Sequence, residues 1–321
     1  MIFNTSSNIS NVELKPKICF LRPVVHSPSS SYIKSHIAIC VINALLSIVG
    51  TILNSLLLYI FWKSPQRREK VAYFLIMVLS CVDLGVVAIV QPLFISFLIN
   101  EILESSRLCL QFIAFCLPGI LSYAMSVSTL FTINIQRYLS IVCPIWRRTI
   151  ATKKIFLLTS LFISFIYLLT FLIRLLVPNY SWIGPGSFFF IFFSTSFFFY
   201  LSIFLVARNK LLANANQVNN NSDEDNSTTL VSFLRELKLA KPYILIVLLF
   251  SFCYLPYYIV LVYRKIESTI NERTILATDW TITLVLINSC LNCCVFFWAK
   301  RDLRKEGLKI IRKCFYERYG R

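Results

Sequence analysis

The sequence predicts an all-α membrane protein, a seven-transmembrane helix bundle followed by an amphipathic helix on the cytoplasmic surface. Three observations support this fold class: 57% of the 321 residues are hydrophobic, only 15% are charged, and short basic clusters separate long apolar stretches. A soluble domain carries about 25% charged residues. The composition therefore excludes a soluble fold with a single core.

Seven stretches are long enough to cross a bilayer, which takes about 20 mainly apolar residues in a helix. They lie at 35–62, 71–100, 108–141, 155–177, 187–206, 239–263 and 274–298. A further stretch at 300–315 mixes apolar residues with many bases, as in a helix lying on a membrane surface. We therefore expect an N-terminal segment at 1–34, a seven-helix domain at 35–298 with a flexible third cytoplasmic loop at about 208–237, and a surface helix and tail at 299–321.

The distribution of charge sets the expected orientation. The chain has 32 Lys and Arg against 15 Asp and Glu, and most of the bases lie in alternate loops and in the C-terminal tail. Because positive loops stay in the cytosol, the N-terminus is expected outside the cell and the C-terminus inside. Asn4 and Asn8 lie in glycosylation sequons, which agrees with that orientation. Basic clusters between apolar runs indicate contact with anionic membrane lipids and not with nucleic acid.

Two other classes of membrane protein fit the sequence poorly. We find no internal repeat and only seven glycines, whereas transporters often show repeats and broken helices. The only histidines are His26 and His36, both before or at the start of the first span. A histidine cluster for metal or acid–base chemistry is therefore not expected, and neither is an enzyme.

Short motifs in the third, sixth and seventh spans resemble those of one receptor family. They read Gln-Arg-Tyr at 136–138, Phe-Ser-Phe-Cys-Tyr-Leu-Pro at 250–256 and Asn-Ser-Cys-Leu-Asn-Cys-Cys-Val-Phe at 288–296. These are similar to the Asp-Arg-Tyr, Phe-x-x-Cys-Trp-x-Pro and Asn-Ser-x-x-Asn-Pro-x-x-Tyr segments of rhodopsin-like (class A) G-protein-coupled receptors. Other matches at the family's spacing are Gly50, Asn54, Leu79, Asp83, Tyr200, Ile203 and Arg208. The resemblance implies a plasma-membrane receptor that binds an extracellular ligand and activates a heterotrimeric G protein.

The resemblance also implies a mid-membrane Na⁺ site. Its ligands would come from Asp83, Ser126, Asn288, Ser289 and Asn292. Hydroxyl and amide oxygens suit a hard cation, and a buried carboxylate needs a counter-charge or a proton. The alternative is a packed polar network around a protonated Asp83. We expect Asn54 to hydrogen-bond to this network without binding the ion, and no cofactor is obligatory.

A second set of positions implied by the resemblance forms a cytoplasmic switch. Arg137 would pair with Glu236 and tie the inner ends of the third and sixth helices together. Alternatively, both side chains reach the cytosolic interface independently. Tyr200 matches a tyrosine that reaches this arginine in active family members. Because Gln136 replaces the family's acid beside Arg137, we expect raised basal activity. Gln136, Cys293 and Phe296 all depart from the family's coupling machinery, so a non-signalling decoy receptor is the alternative function.

Phe250, Tyr254 and Pro256 match the family's transmission core, in which the sixth helix pivots at a proline kink. The alternative interpretation is plain apolar packing. Two family prolines are missing from neighbouring helices, where the chain has Phe192 and Cys293.

The predicted outer face departs from the usual family pattern. No cysteine occurs between Cys143 and Cys253, so Cys109 would pair with Cys19 or stay free. The short, cysteine-free second outer loop loosely resembles the melanocortin, cannabinoid and lysosphingolipid branch.

The ligand class is narrowed but not identified. Gly119 stands where amine receptors have an aspartate, so a lipid or small peptide is favoured over an amine. Phe188, Phe189, Phe190 and Tyr257 give the upper pocket an apolar, aromatic character. On the cytoplasmic side, Cys314 is a palmitoylation candidate or a free cysteine.

Overall fold

The computed structural model describes residues 18–19, 22–23, 28–103, 108–143, 145, 152–176, 183–217, 224–266 and 271–319. In this part of the chain, seven helical spans are long and apolar enough to cross a membrane. The predicted all-α, seven-helix fold class is therefore confirmed, and the chain is a multi-pass membrane protein.

The helices follow the predicted order. Their bounds are α1 Ser30–Lys63, α2 Pro65–Glu69, α3 Val71–Gly85, α4 Gln91–Ile102, α5 Leu108–Ile141, α6 Lys153–Leu176, α7 Ile183–Gln217, α8 Glu224–Ile266, α9 Glu272–Ala299 and α10 Arg301–Tyr319. Helices α3 and α4 form one span, and α10 is the predicted surface helix. Before α1, strands β1 (Ile18–Cys19) and β2 (Arg22–Pro23) pair antiparallel.

The connection predicted at about 208–237 is shorter in the structure. Helix α7 continues to Gln217 and α8 begins at Glu224, so both helices extend several turns beyond their apolar segments. Polar residues can form helix outside a bilayer, and the hydrophobic length that defines a span does not mark where a helix ends.

Local sequence explains where α1 and α9 begin. The Ser29 side chain caps α1 by accepting a hydrogen bond from the backbone N–H of Tyr32 at 3.2 Å. At the start of α9, the Asn271 side chain accepts from the Thr274 backbone, and the Thr274 side chain accepts from the Asn271 backbone. Each cap satisfies backbone donors that the first helical turn leaves without partners.

A π-helical turn at Val86–Val90 joins α3 to α4. It lies just before Pro92, which has no N–H to donate to the preceding turn. Because a π-helical turn holds one residue more than an α-helical turn, it rotates the side chains of α4 around the helix axis relative to those of α3. The buried face of α4 then carries Gln91, Phe94 and Glu101.

Helix α5 lies in the centre of the bundle, in contact with α3, α4, α6, α7 and α8, and α1 packs against α3, α4 and α9. Helix α1 lies close to its neighbours at Gly50. A Cβ atom there would lie 2.6 Å from Val87 Cγ1 and 2.7 Å from Cys290 Sγ, so this contact requires glycine. Large apolar side chains such as Leu45, Phe162 and Phe197 are exposed on the outside of the bundle, as expected for a lipid-facing surface.

Candidate functional site

A polar cluster lies in the middle of the bundle around Asp83 on α3. Asn292 Nδ2 on α9 donates a hydrogen bond of 3.0 Å to Asp83 Oδ2. The Ser289 side chain, also on α9, hydrogen-bonds to the same carboxylate. Ser126 on α5 and Asn288 on α9 are buried as well. The structure thus brings Asp83 together with two of the four partners that the sequence suggested.

Among these five residues, two side-chain oxygen atoms are buried without a hydrogen-bond partner in the described part of the chain. They are Asp83 Oδ1 and Asn288 Oδ1. A buried acceptor without a donor costs about 1–3 kcal/mol. Both atoms are of the kind that a hard cation prefers as ligands. The chemistry of these residues therefore fits Na⁺.

Asn54 joins α1 to α9 next to this cluster, through hydrogen bonds that include one to Ser289. Its Nδ2 donates to the Gly50 carbonyl at 3.0 Å and to the Ser289 carbonyl at 3.3 Å. Cys293, which stands at a proline position of the family, donates its thiol to Asn54 Oδ1 at 2.9 Å. The thiol thus supplies a side-chain bond between helices that proline cannot make.

Arg137 lies near the end of α5 and is only 3% exposed. The neighbouring Gln136 does not take the place of an acid beside it. Gln136 Nε2 donates to Ser140 Oγ at 3.1 Å, and Ser140 Oγ donates to the Gln136 carbonyl at 2.7 Å. The Gln136 amide is therefore held by the next turn of its own helix.

Tyr200 on α7 reaches the same region of α5. Its hydroxyl donates to Asn134 Oδ1 at 2.9 Å, and Asn134 Nδ2 donates to Ser196 Oγ, also at 2.9 Å. Asn134 lies three residues before Arg137, so Tyr200 is anchored close to the predicted switch.

Aromatic rings of α5, α7 and α8 meet in the bundle core. Phe250 and Tyr254, one turn apart on α8, stack with ring centroids 4.1 Å apart. Phe192 on α7 packs edge-on against Phe250 at 5.2 Å, and Tyr123 on α5 lies 5.0 Å from Tyr254. Phe192 therefore places a buried ring in the core at a proline position of the family. Pro256 follows Tyr254 within α8, and Phe296 is buried in α9.

Comparison with known proteins decides the family. The sequence model of the family described as 7 transmembrane receptor (rhodopsin family) matches residues 53–296. The chain belongs to the rhodopsin family of seven-transmembrane receptors. Adenosine receptor A3 of Ovis aries is 24% identical over 310 residues, which cover 87% of this chain and 90% of the relative. The chain is thus a receptor and not an enzyme.

Sequence reasoning missed a group of tyrosines in this receptor. The hydroxyl oxygens of Tyr123 on α5 and Tyr258 on α8 are 2.7 Å apart. Tyr167 on α6 packs edge-on against Tyr123 at 5.0 Å, and Phe189 on α7 lies 4.8 Å from Tyr258. The cluster joins four helices. Of the expected pocket residues Phe189 is buried in it, whereas Phe190 is 57% exposed.

The receptor also has a buried ionisable cluster that the sequence analysis did not expect. His36 Nε2 on α1 lies 3.1 Å from Asp279 Oδ2 on α9 and 3.6 Å from Glu101 Oε2 on α4. The three residues are distant in the chain, so no local motif reveals them. The one available signal was that each ionisable residue falls within or beside an apolar span, where such residues are costly and tend to be functional.

Several predicted site residues have no described side chain. Glu236 lies within α8 and Cys314 within α10, but their side chains are outside the described residues, and so are Asn4 and Asn8. The proposed pairing of Arg137 with Glu236 therefore stays a prediction. Cys19 and Cys109 have described backbones, and strand β1, which contains Cys19, lies against α5, which contains Cys109.

Proposed function

We propose that this receptor binds an extracellular ligand and activates a heterotrimeric G protein on the cytoplasmic side of the plasma membrane. The loop charges support an orientation with the N-terminus outside and the Arg137 end of α5 in the cytosol. Membership of the rhodopsin family supports the receptor class.

One observation carries the proposal, a continuous series of ring contacts through the bundle. From the stacked pair Phe250 and Tyr254, ring contacts continue through Phe192 to Phe131, at 5.2 and 6.4 Å. Phe131 lies 6.3 Å from Phe199, and Phe199 lies 4.9 Å from Tyr138, the residue that follows Arg137. Packed side chains of this kind can couple two sites when they have two arrangements. A ligand that displaces the tyrosine cluster would therefore move groups next to Arg137.

The tyrosine cluster favours an uncharged ligand group at the upper end of this series. Tyr123, Tyr167 and Tyr258 offer neutral rings and hydroxyls, and Gly119 on α5 cannot pair with an amine. Rings with hydroxyl groups suit a ligand that is mainly apolar and has a few hydrogen-bonding atoms. We therefore favour a lipid or small peptide. Because a relative is an adenosine receptor, adenosine also belongs in a ligand screen.

The proposal is tested by basal G-protein activation in cells that express the receptor at matched surface levels. We expect activity above untransfected cells for the wild type, loss of this activity for Arg137→Ala, and a rise for Glu236→Ala. Arg312→Ala is the control, because Arg312 is exposed on α10. Equal signals from the wild type and Arg137→Ala would contradict the assigned switch.

A decoy receptor of the same fold is the second candidate. Gln136 bonds to Ser140 and Phe296 has no hydroxyl, so two groups of the family's coupling machinery are altered. A receptor that stays silent with every G protein and every ligand in the screen, despite surface expression, favours the decoy.

We also propose that the cluster around Asp83 binds Na⁺. Asp83 and Asn288 would supply the two oxygens without partners, and Ser126, Ser289 and Asn292 would complete the site. The bound ion would neutralise the buried carboxylate and hold α3, α5 and α9 in one arrangement.

A further inference from the structure

We propose that His36, Glu101 and Asp279 form a binding site for Zn²⁺ at the end of the bundle where α1 begins. One imidazole nitrogen and two carboxylate oxygens, each from a different helix, lie within 4.8 Å of one another. The three residues are 0–2% exposed. The site is separate from the cluster around Asp83 and does not depend on G-protein coupling.

The two distances from His36 to the carboxylates are close to those of a tetrahedral zinc site. Zinc bonds to nitrogen and oxygen at about 2.0–2.1 Å, so two of its ligand atoms lie about 3.3 Å apart. His36 Nε2 is 3.1 Å from Asp279 Oδ2 and 3.6 Å from Glu101 Oε2. Small side-chain adjustments would therefore admit the ion.

The second nitrogen of His36 is already held as in metal-binding histidines. His36 Nδ1 lies 3.1 Å from the Tyr32 carbonyl oxygen, and a carbonyl can only accept a hydrogen bond. Nδ1 therefore carries a proton, and Nε2 is the nitrogen that faces the two carboxylates. A ligating histidine commonly donates its other N–H to a carbonyl, which fixes the ring and its tautomer.

Charge and ligand type favour Zn²⁺ over Mg²⁺ or Ca²⁺. With a neutral His36, the two carboxylates carry a formal charge of −2, which is equal and opposite to that of the ion. An imidazole ligand suits zinc, whereas Mg²⁺ and Ca²⁺ take oxygen ligands. When the ion binds, the Nε2 proton of a charged His36 is released. The remaining coordination position is left for water.

The three residues lie close to the ends of their helices. His36 is six residues from the start of α1, which is about 9 Å of helix. Glu101 is next to the last residue of α4, and Asp279 lies seven residues into α9. A bound ion would fasten the ends of three helices at one point.

The test uses the full-length receptor, purified in detergent and stripped of metal with EDTA, and measures its thermal melting. At a free Zn²⁺ concentration about a hundred times the Kd, we expect the Tm to rise by about 5 °C and to fall again when EDTA is added. MgCl₂ should have no such effect. No Zn²⁺-dependent shift in the wild type would overturn the proposal, because His36 would then only bridge the carboxylates as an imidazolium.

Matched variants locate the ion. His36→Gln and Asp279→Asn should lose the shift, whereas His26→Gln and Glu272→Gln should keep it. His26 is the only other histidine of the chain, and Glu272 receives hydrogen bonds from Ser29 at the same end of the bundle. A shift that survives Asp279→Asn unchanged would place the ion elsewhere and overturn the proposal.

A direct measurement covers the case in which the cluster variants fail to fold. After incubation with ZnCl₂ and gel filtration, the wild-type receptor should retain about one zinc per chain by atomic absorption. The His26→Gln receptor should retain the same amount. A wild-type zinc content no higher than that of a receptor kept in EDTA would contradict the site.

Discussion

Gln136 and Arg137 adjoin in the chain, but the Gln136 amide bonds to Ser140 in the next helical turn. At the scale of single residues, the amide that stands in place of the family's acid is thus held within its own helix. A carboxylate here would sit beside the buried guanidinium and favour the inactive arrangement.

Gln136→Asp should therefore lower basal G-protein activation about tenfold, since an added charge interaction of about 1.4 kcal/mol changes an equilibrium by that factor. The measurement is basal signalling at matched surface expression. Gln136→Glu tests whether the effect follows the charge. A Gln136→Asp receptor as active as the wild type would contradict the expected restraint.

The cluster around Asp83 gives a second residue-scale prediction. If Na⁺ binds there, the purified receptor should melt about 2–4 °C higher in NaCl than in choline chloride at equal ionic strength, because an ion that binds only the folded chain stabilises it. Asp83→Asn should abolish this difference. Asp302→Asn is the control, since Asp302 is exposed at the start of α10. A difference that persists in Asp83→Asn would rule out this ion site.

The sequence predicted contacts between single residues where both residues belong to motifs of the family. Asp83 and Asn292 were assigned together through family spacing, and they bond at 3.0 Å. It failed for His36, Glu101 and Asp279, which were not associated with one another at all. Their contact depends on how α1, α4 and α9 pack, and on the π-helical turn that rotates α4.

At the scale of helices, Phe192 on α7 fills part of the core at the position where the family has a proline. Its ring is 3% exposed and packs against Phe250 and Phe131. Phe192→Ala should destabilise the receptor by about 3–5 kcal/mol, because it leaves a cavity between α5, α7 and α8. Thermal melting checks this expectation. Phe197→Ala, at a 64% exposed position of the same helix, should change the Tm little; equal losses for both variants would contradict the packing role.

The contact between β1 and α5 leads to a prediction about Cys19 and Cys109. If the two cysteines pair, Cys19→Ser, Cys109→Ser and the double variant should all lower stability or surface expression by similar amounts. Mass spectrometry of non-reduced peptides should detect the crosslinked pair in the wild type. Free thiols at both positions would contradict the pairing.

The sequence predicted the bounds of a helix correctly where the helix begins and ends with its apolar stretch. The third span was expected at 108–141, and α5 covers Leu108–Ile141. For α7 and α8 the apolar segment is shorter than the helix, so the sequence underestimated both.

At the scale of the whole molecule, side-chain hydrogen bonds join the first span, α1, to the last span, α9. Glu272 accepts hydrogen bonds from Ser29, and Trp280 Nε1 donates to Ser35 Oγ at 3.0 Å. Deeper in the bundle, Asn43 Nδ2 donates to Thr283 Oγ1, also at 3.0 Å. These partners are about 240 residues apart in the chain, so the local sequence pattern cannot predict their contacts. The number of spans, in contrast, follows from the lengths of the hydrophobic stretches.

Nucleotide exchange on purified heterotrimeric G proteins tests the central claim most directly. The receptor, reconstituted in lipid nanodiscs without ligand, is mixed with each G-protein class, and GTPγS binding is followed over time. We expect the wild type to accelerate exchange on at least one class and Arg137→Ala to leave it at the rate of empty nanodiscs. Acceleration by Arg137→Ala equal to that of the wild type would contradict the proposed role of Arg137 in G-protein activation.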